Sequence, residues 1–144
     1  MVIFFSRTKK CTGIRKAIKN VDIFLPNAQE ARRLTGESDL ELAIRQLGRL
    51  CPLVVVKEGS NGAYGLINDV LVHVPGIPIK PLDTTGAGDN FTAGFIRAWL
   101  DCQPVETCLE WGNISGGLST TELGGTTRKI TVEEIQKAIS RYYS

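Results

Sequence analysis

Metal-binding and redox residues are scarce in this chain. It has one histidine, His73, and four cysteines, Cys11, Cys51, Cys102 and Cys108, among 144 residues. No two cysteines form a CxxC pair, and the closest, Cys102 and Cys108, have no histidine beside them. Structural zinc is held by close-set pairs of such ligands, so the spacing argues against a zinc site. Free thiols in a reducing compartment are the simpler reading. An excess of charge of one sign is also lacking, with 17 Lys and Arg against 15 Asp and Glu. Basic residues gather at Arg7, Lys9, Lys10, Arg15, Lys16 and Lys19, but no aromatics interleave them. This reads as a solvated helix face, not a nucleic-acid track. No apolar stretch approaches membrane length. The opening Met1–Phe5 run is too short for a signal peptide's apolar core. A cytoplasmic protein without nucleic-acid or membrane partners is expected. The GxxxxGK[ST] phosphate loop is absent as well.

What is present suits a folded domain: 42% of residues are hydrophobic and 22% charged. Short apolar runs rich in β-branched residues predict strands at Met1–Phe5, Val21–Leu25, Leu53–Val56, Gly62–Ile67 and Val70–Val74. The last two, parted by Asn68-Asp69, read as a hairpin. Helices are predicted over Gly13–Lys19, Ala28–Leu34, Leu40–Leu50, Asp89–Leu100, from Pro104 through Leu118, and from Thr131 through Tyr142. Ser38…Glu41 and Thr131…Glu134 have the spacing of capping boxes. Pro104 suits a first helical turn. Strands thus alternate with helices, which predicts an α/β fold of three α/β/α layers around a mostly parallel sheet. One domain, residues 1–144, is expected. His73 reads as a half-exposed strand residue.

The most informative stretch is Asp83-Thr84-Thr85-Gly86-Ala87-Gly88-Asp89-Asn90-Phe91. Small residues here precede a helix, so uncovered backbone N–H groups converge into an anion cradle. Asp89 at its mouth has two readings. It favours the helix start, where acids are common, or it accepts a proton from an attacking hydroxyl. Asn27 and Glu30 stand three apart at a helix start and can share a face. Asn27 alone could be an N-cap.

The segment Asp83–Asp89, with Asn90, Phe91 and Gly94 after it, resembles the ribokinase-like family of PfkB-type carbohydrate kinases. Leu25-Pro-Asn27-Ala-Gln-Glu30, Lys57-Glu-Gly59-Ser60-Asn-Gly62 and the helix around Asn113 resemble further family segments. The resemblance implies ATP-dependent transfer of a phosphoryl group to a hydroxyl of a sugar or related small molecule. It implies that Asp89 is the catalytic base and that Gly86, Ala87 and Gly88 form the anion hole. Asn27 and Glu30 would organise the ATP phosphates and hydrated Mg²⁺, Glu30 through water. The glycines Gly59 and Gly62 would approach the nucleotide, with Ser60 a hydrogen-bonding candidate. Lys57 either faces the phosphates or lies in solvent. Asn113 either lies near adenine or serves packing. Asp83, Thr85 and the Thr120–Gly125 loop would be ligands for a monovalent cation, K⁺, although Glu122 and Leu123 depart from the arginine-bearing form common there.

Whole enzymes of this family are about twice as long, so the resemblance implies the C-terminal, nucleotide-binding part. The N-terminal half, its lid and most sugar-binding residues are not matched, and Phe5–Thr8 lacks the family's Asp-x-Asn-x-Arg pattern. A truncated fragment is expected, with an exposed sheet edge covered in a homodimer or by a partner chain. A non-catalytic nucleotide-binding or interaction module is the alternative.

Overall fold

The computed structural model describes residues 2–3, 13–124 and 128–144. The basic cluster's Arg7, Lys9 and Lys10, the Phe5–Thr8 segment, Cys11, and residues 125–127 of the predicted polar loop lie outside the described residues. The chain divides into two units. The first comprises residues up to Glu58 together with Tyr64–Val72, the second Gly59–Ala63 together with His73–Ser144.

The first unit holds most of a sheet. The strands are β1 (Val2–Ile3), β2 (Ile23–Phe24), β3 (Leu53–Lys57), β4 (Ala63–Ile67) and β5 (Val70–Val74), side by side in chain order, with Ala63, His73 and Val74 falling to the second unit. β1 and β2 run parallel, as do β2 and β3, with Ile23 beside Leu53 and Phe24 beside Val54. Asn68 and Asp69 have φ of 50° and 62°. Two successive residues in that region make the tight turn that suits a twisted two-residue hairpin, so β4 and β5 are antiparallel. The sheet is therefore mixed, which corrects the expectation of a mostly parallel one. Helix-strand alternation predicts parallel neighbours, but it holds only as far as β3, and the two-residue turn after β4 leaves no room for a crossover.

Helices α1 (Ile14–Ile18), α2 (Ala28–Thr35) and α3 (Leu40–Gly48) complete this unit. Their core faces are read from spacing: Ala43, Ile44 and Leu47 of α3 are buried. Ile44 and Leu47 join Ile18, Phe24, Ala31, Val54, Val56 and Leu66 in one apolar cluster. Leu53–Val56 is buried along its whole length, as expected of a strand covered on both faces. Each such side chain contributes about 1.5–3 kcal/mol relative to exposure. The predicted Ser38 box is not the one used. Asp39 caps α3 instead, accepting the Leu42 N–H at 2.9 Å. Gly36, with φ 71°, ends α2.

The second unit is dominated by α4 (Ala87–Leu100), α5 (Val105–Ser119) and α6 (Val132–Tyr142). Pro104 is the N-cap of α5 and not its first turn. Phe91 and Phe95 stack with ring centroids 6.4 Å apart, and Phe95 and Trp99 at 6.3 Å. The small residues of α5 let α4 approach it closely. A Cβ on Gly112 would meet the Phe91 ring at 2.7 Å, and one on Gly94 would meet the Trp111 carbonyl at 2.6 Å. Thr131 and Glu134 form the predicted capping box at the start of α6. Among the described residues, no helix is long and apolar enough to cross a membrane.

Candidate active site

The glycine loop belongs to the second unit. Gly86 is the N-cap of α4 with φ 75° and ψ 2°, a left-handed conformation that glycine adopts without a Cβ penalty. That single residue turns the irregular Asp83–Thr85 segment into the helix, so α4 begins at Ala87, two residues before the predicted start. The Ala87 N–H is bonded to the Thr84 carbonyl at 3.2 Å, and the Asn90 N–H to the Gly86 carbonyl at 3.0 Å. Among the described residues, the N–H groups of Gly86, Gly88 and Asp89 have no acceptor. Unpaired donors at a helix start attract an anion, and the macrodipole adds to the pull.

Asp89 lies in the first turn of α4 and is exposed. Its carboxylate caps nothing: α4 has no side-chain cap, and Asp89 has no hydrogen-bond partner among the described residues. A capping aspartate would accept an N–H of its own helix, so Asp89 is not a cap, although its place in the first turn still suits the helix dipole. The carboxylate is exposed in the same first turn as the unpaired N–H groups.

Asp83 fixes the approach to the cradle. Its Oδ1 accepts the Thr85 N–H at 2.9 Å, and its Oδ2 accepts the Gly124 N–H at 3.0 Å. The Gly124 N–H, then the Thr85 hydroxyl and N–H, hold its carboxyl below the usual range. The Thr120 carbonyl receives two further N–H groups from this strap, Leu82 at 2.8 Å and Asp83 at 3.1 Å.

In the first unit, Asn27 and Glu30 stand where β2 runs into α2. The Asn27 side chain accepts the Glu30 N–H at 2.8 Å, and Glu30 Oε2 accepts the Asn27 N–H at 2.9 Å. Asn27 is thus an N-cap and Glu30 its reciprocal partner. The pairing orients Glu30 and leaves Oε1 without a partner among the described residues. Lys57, the last residue of β3, pairs with Asn27 in an isolated parallel bridge, its N–H reaching the Pro26 carbonyl at 3.1 Å. Asn27 and Lys57 therefore sit together at the carboxyl ends of adjacent parallel strands, where ligands of open α/β sheets bind.

The family model for pfkB family carbohydrate kinases matches residues 2–131. The chain belongs to the PfkB family. A sugar kinase of Archaeoglobus fulgidus, itself uncharacterised, is 40% identical over 100 residues, covering 69% of this chain and 40% of that protein. Arabidopsis thaliana ribokinase, solved with ribose and ATP, superposes with a TM-score of 0.79 at 29% identity, covering 85% of this chain and 42% of its own. An E. coli ribokinase II structure with ATP and Mg²⁺ gives a TM-score of 0.82 at 28% identity, covering 90% and 42%. This PfkB chain thus spans about two fifths of the length of each, by the shares just given.

The other residues singled out in the PfkB pattern fall as follows. Gly59, Ser60 and Asn61 form a single 3₁₀ turn, and Gly59 and Ser60 are exposed. Gly62 is buried with φ 95°, and a Cβ there would collide with the Val74 carbonyl and the Pro75-Gly76 backbone. Asn113 is buried on α5. Its amide donates to the Val74 and Pro75 carbonyls, both at 3.1 Å, and meets the Tyr143 hydroxyl at 3.2 Å. That side chain therefore ties α5 to Val74, Pro75 and Tyr143, all within the second unit. His73 is exposed, with its ring Nε2 2.9 Å from the Asn61 carbonyl.

Sequence reading set the Thr120–Gly125 loop with Asp83 and Thr85 as cation ligands, but missed the loop's hydrogen bonds to Asp83 and missed Arg128. The Gly124 N–H, the Thr120 carbonyl and Arg128 all hold the loop that holds the cradle. Gly124 reaches Asp83 across 41 residues, Arg128 reaches Thr121 and Glu134 across 7 and 6, and no motif marks these pairings.

Proposed function

We propose that this chain carries the nucleotide side of an ATP-dependent kinase whose acceptor is a hydroxyl of a sugar or related small molecule. It corresponds to the C-terminal part of the PfkB relatives, and the acceptor pocket is completed by residues outside these 144, on a longer chain or a partner copy. The carrying observation is Asp89, an exposed carboxylate with no partner among the described residues, beside three unpaired N–H groups at the start of α4.

In this reading Asp89 accepts the proton of the attacking hydroxyl. The hydroxyl oxygen bonds to the γ-phosphorus, the bond from that phosphorus to the bridging oxygen breaks, and ADP leaves with the electron pair. The N–H groups of Gly86, Gly88 and Asp89 stabilise the negative charge of the moving group, with Ala87 holding the turn between them. Asn27, Glu30 and Lys57 serve the phosphates. Gly59, Ser60, Gly62 and Asn113 serve the nucleoside, Gly62 and Asn113 by fixing backbone.

The donor set suits Mg²⁺. Among the described residues no cluster of three acidic, histidine or cysteine side chains exists, and Mg²⁺ is commonly held by one or two carboxylates, substrate phosphates and waters. Glu30, with one free oxygen, is the side chain that would reach it through water. When bound, the ion offsets the repulsion among phosphates. The Asp83 carboxylate and Thr85 would contribute to a K⁺ site, since each Asp83 oxygen carries one N–H and keeps acceptor capacity.

The test is an Asp89→Asn variant in an assembly competent for transfer. Phosphoryl transfer should fall at least a hundredfold, as removal of a general base commonly does, while Mg-ATP binding stays within about twofold. Unchanged transfer would sink the role of Asp89. Binding of Mg-ATP with no transfer to any acceptor, in every assembly, would leave the nucleotide-binding module as the function.

A further inference from the structure

Arg128 belongs to no motif, yet it is the most committed side chain near the glycine loop. Its Nη1 donates to the Thr121 hydroxyl at 2.7 Å and its Nη2 to Glu134 Oε1 at 2.9 Å. The Arg128 side chain is 24% exposed. Glu134 is itself fixed, because its Oε2 accepts the Thr131 N–H at 2.8 Å in the capping box of α6. A planar fork held by two partners has little freedom left.

What the fork holds is the end of α5. Thr121 turns back on that helix, its N–H and hydroxyl both donating to the Leu118 carbonyl. The residue before it, Thr120, offers its carbonyl to the N–H groups of Leu82 and Asp83. Asp83 in turn holds the Thr85 N–H, one residue before Gly86. Hydrogen bonds, joined by the chain itself between Thr121 and Thr120 and between Thr85 and Gly86, thus lead from the start of α6 to the start of α4. The cation also sits near the C-terminal end of α5, where the helix dipole favours positive charge.

We infer that Arg128 is a positioning residue for the Gly86–Asp89 cradle, acting through Thr121, Thr120 and Asp83 and never touching the reacting groups. The inference rests on the reading of that cradle as a phosphoryl site. A cradle of N–H groups stabilises developing charge only when its donors are held in place beforehand. The strap from Leu82 to Thr85 has no regular secondary structure, so its position comes from these bonds.

The experiment uses the whole chain, ¹⁵N-labelled, with amide hydrogen exchange read by NMR and Mg-ATP affinity read by calorimetry. Arg128→Ala should speed exchange at Leu82 and Asp83 at least tenfold, leave Phe95 and Ile114 unchanged, and weaken Mg-ATP several-fold. Arg128→Lys keeps the charge but not the fork, and should behave like Arg128→Ala. Thr121→Val keeps the arginine and removes its partner, and should do the same. Unchanged exchange at Leu82 and Asp83 overturns the inference, and so does a rise shared equally by Phe95 and Ile114. Faster exchange with unaltered Mg-ATP affinity reduces Arg128 to a structural tie and overturns the positioning role. A wild-type chain that binds no Mg-ATP refutes the phosphoryl reading instead, which separates the two failures.

Discussion

Gly59 and Gly62 open and close one turn, and alanine at each should have very different effects. Both have positive φ, 57° and 95°. At Gly59 a Cβ would meet nothing within 4 Å, so only the backbone conformation is disfavoured. That penalty is about 1–2 kcal/mol, and it is partly offset by about 0.4–1 kcal/mol from the stiffer unfolded chain. The net loss for Gly59→Ala is therefore about 0–1.5 kcal/mol. At Gly62 the same Cβ would collide with the Val74 carbonyl, and lie 2.5 Å from the Gly76 nitrogen and 2.6 Å from the Pro75 carbonyl carbon. These are backbone atoms that cannot rotate aside. Adding overpacking at about 1–3 kcal/mol to the conformational strain, less the same unfolded-chain offset, gives a loss of about 1–4.5 kcal/mol for Gly62→Ala. Urea denaturation of the two variants beside the wild type reads the difference as a shift in midpoint at constant slope. Equal midpoints for the two variants would refute the close approach of Gly62 to the Val74–Gly76 backbone.

Other outcomes follow from the same contacts. Phe95→Ala removes a fully buried ring stacked on both sides and should destabilise by about 3–5 kcal/mol in the same denaturation assay. Asn27→Ala removes the N-cap of α2 and should cost about 1 kcal/mol; it should also weaken Mg-ATP, by calorimetry, because Glu30 loses its orientation. The Thr131 N–H, then Arg128, keep the Glu134 carboxyl below its ordinary value. A depressed carboxylate adds stability above its unfolded pKa and loses it as pH falls through the folded one. Below about pH 4 the wild type should therefore lose stability more steeply than Glu134→Gln, by denaturation at a series of pH values. Burial pushes the Cys108 thiol up to about 11 and raises Cys51 as well, whereas Cys102 is exposed. Among these three, an aromatic disulfide reagent at pH 8 should label Cys102 alone in the folded chain; fast labelling of Cys108 would contradict its burial.

Local chemistry was legible in the sequence wherever a short pattern fixes a short structure. The glycine loop before α4, the Asn27–Glu30 pairing, the Thr131 box and the Asn68-Asp69 hairpin all depend on residues within a few positions of one another. Boundaries shifted where two local solutions competed. Asp39 outcompeted Ser38 as the cap of α3, and Gly86 started α4 early by taking the left-handed turn itself. The sheet was misjudged because alternation of strands and helices speaks for parallel neighbours, and one two-residue turn reverses that for β4 and β5. The supports of the site were hidden for a different reason. Asp83 reaches Gly124 across 41 residues and Asn113 reaches Val74 across 39, and an isolated arginine at 128 gives no sign of the two partners that hold it. Such bonds are set by how α5 and α6 return past the glycine loop, which no local pattern encodes.

Calorimetric titration of the folded 144-residue chain with Mg-ATP tests the central claim most directly. The nucleotide-side reading predicts saturable binding at one site, weakened when Glu30 is replaced by Gln and largely kept in Asp89→Asn. A folded chain that takes up no Mg-ATP would contradict it.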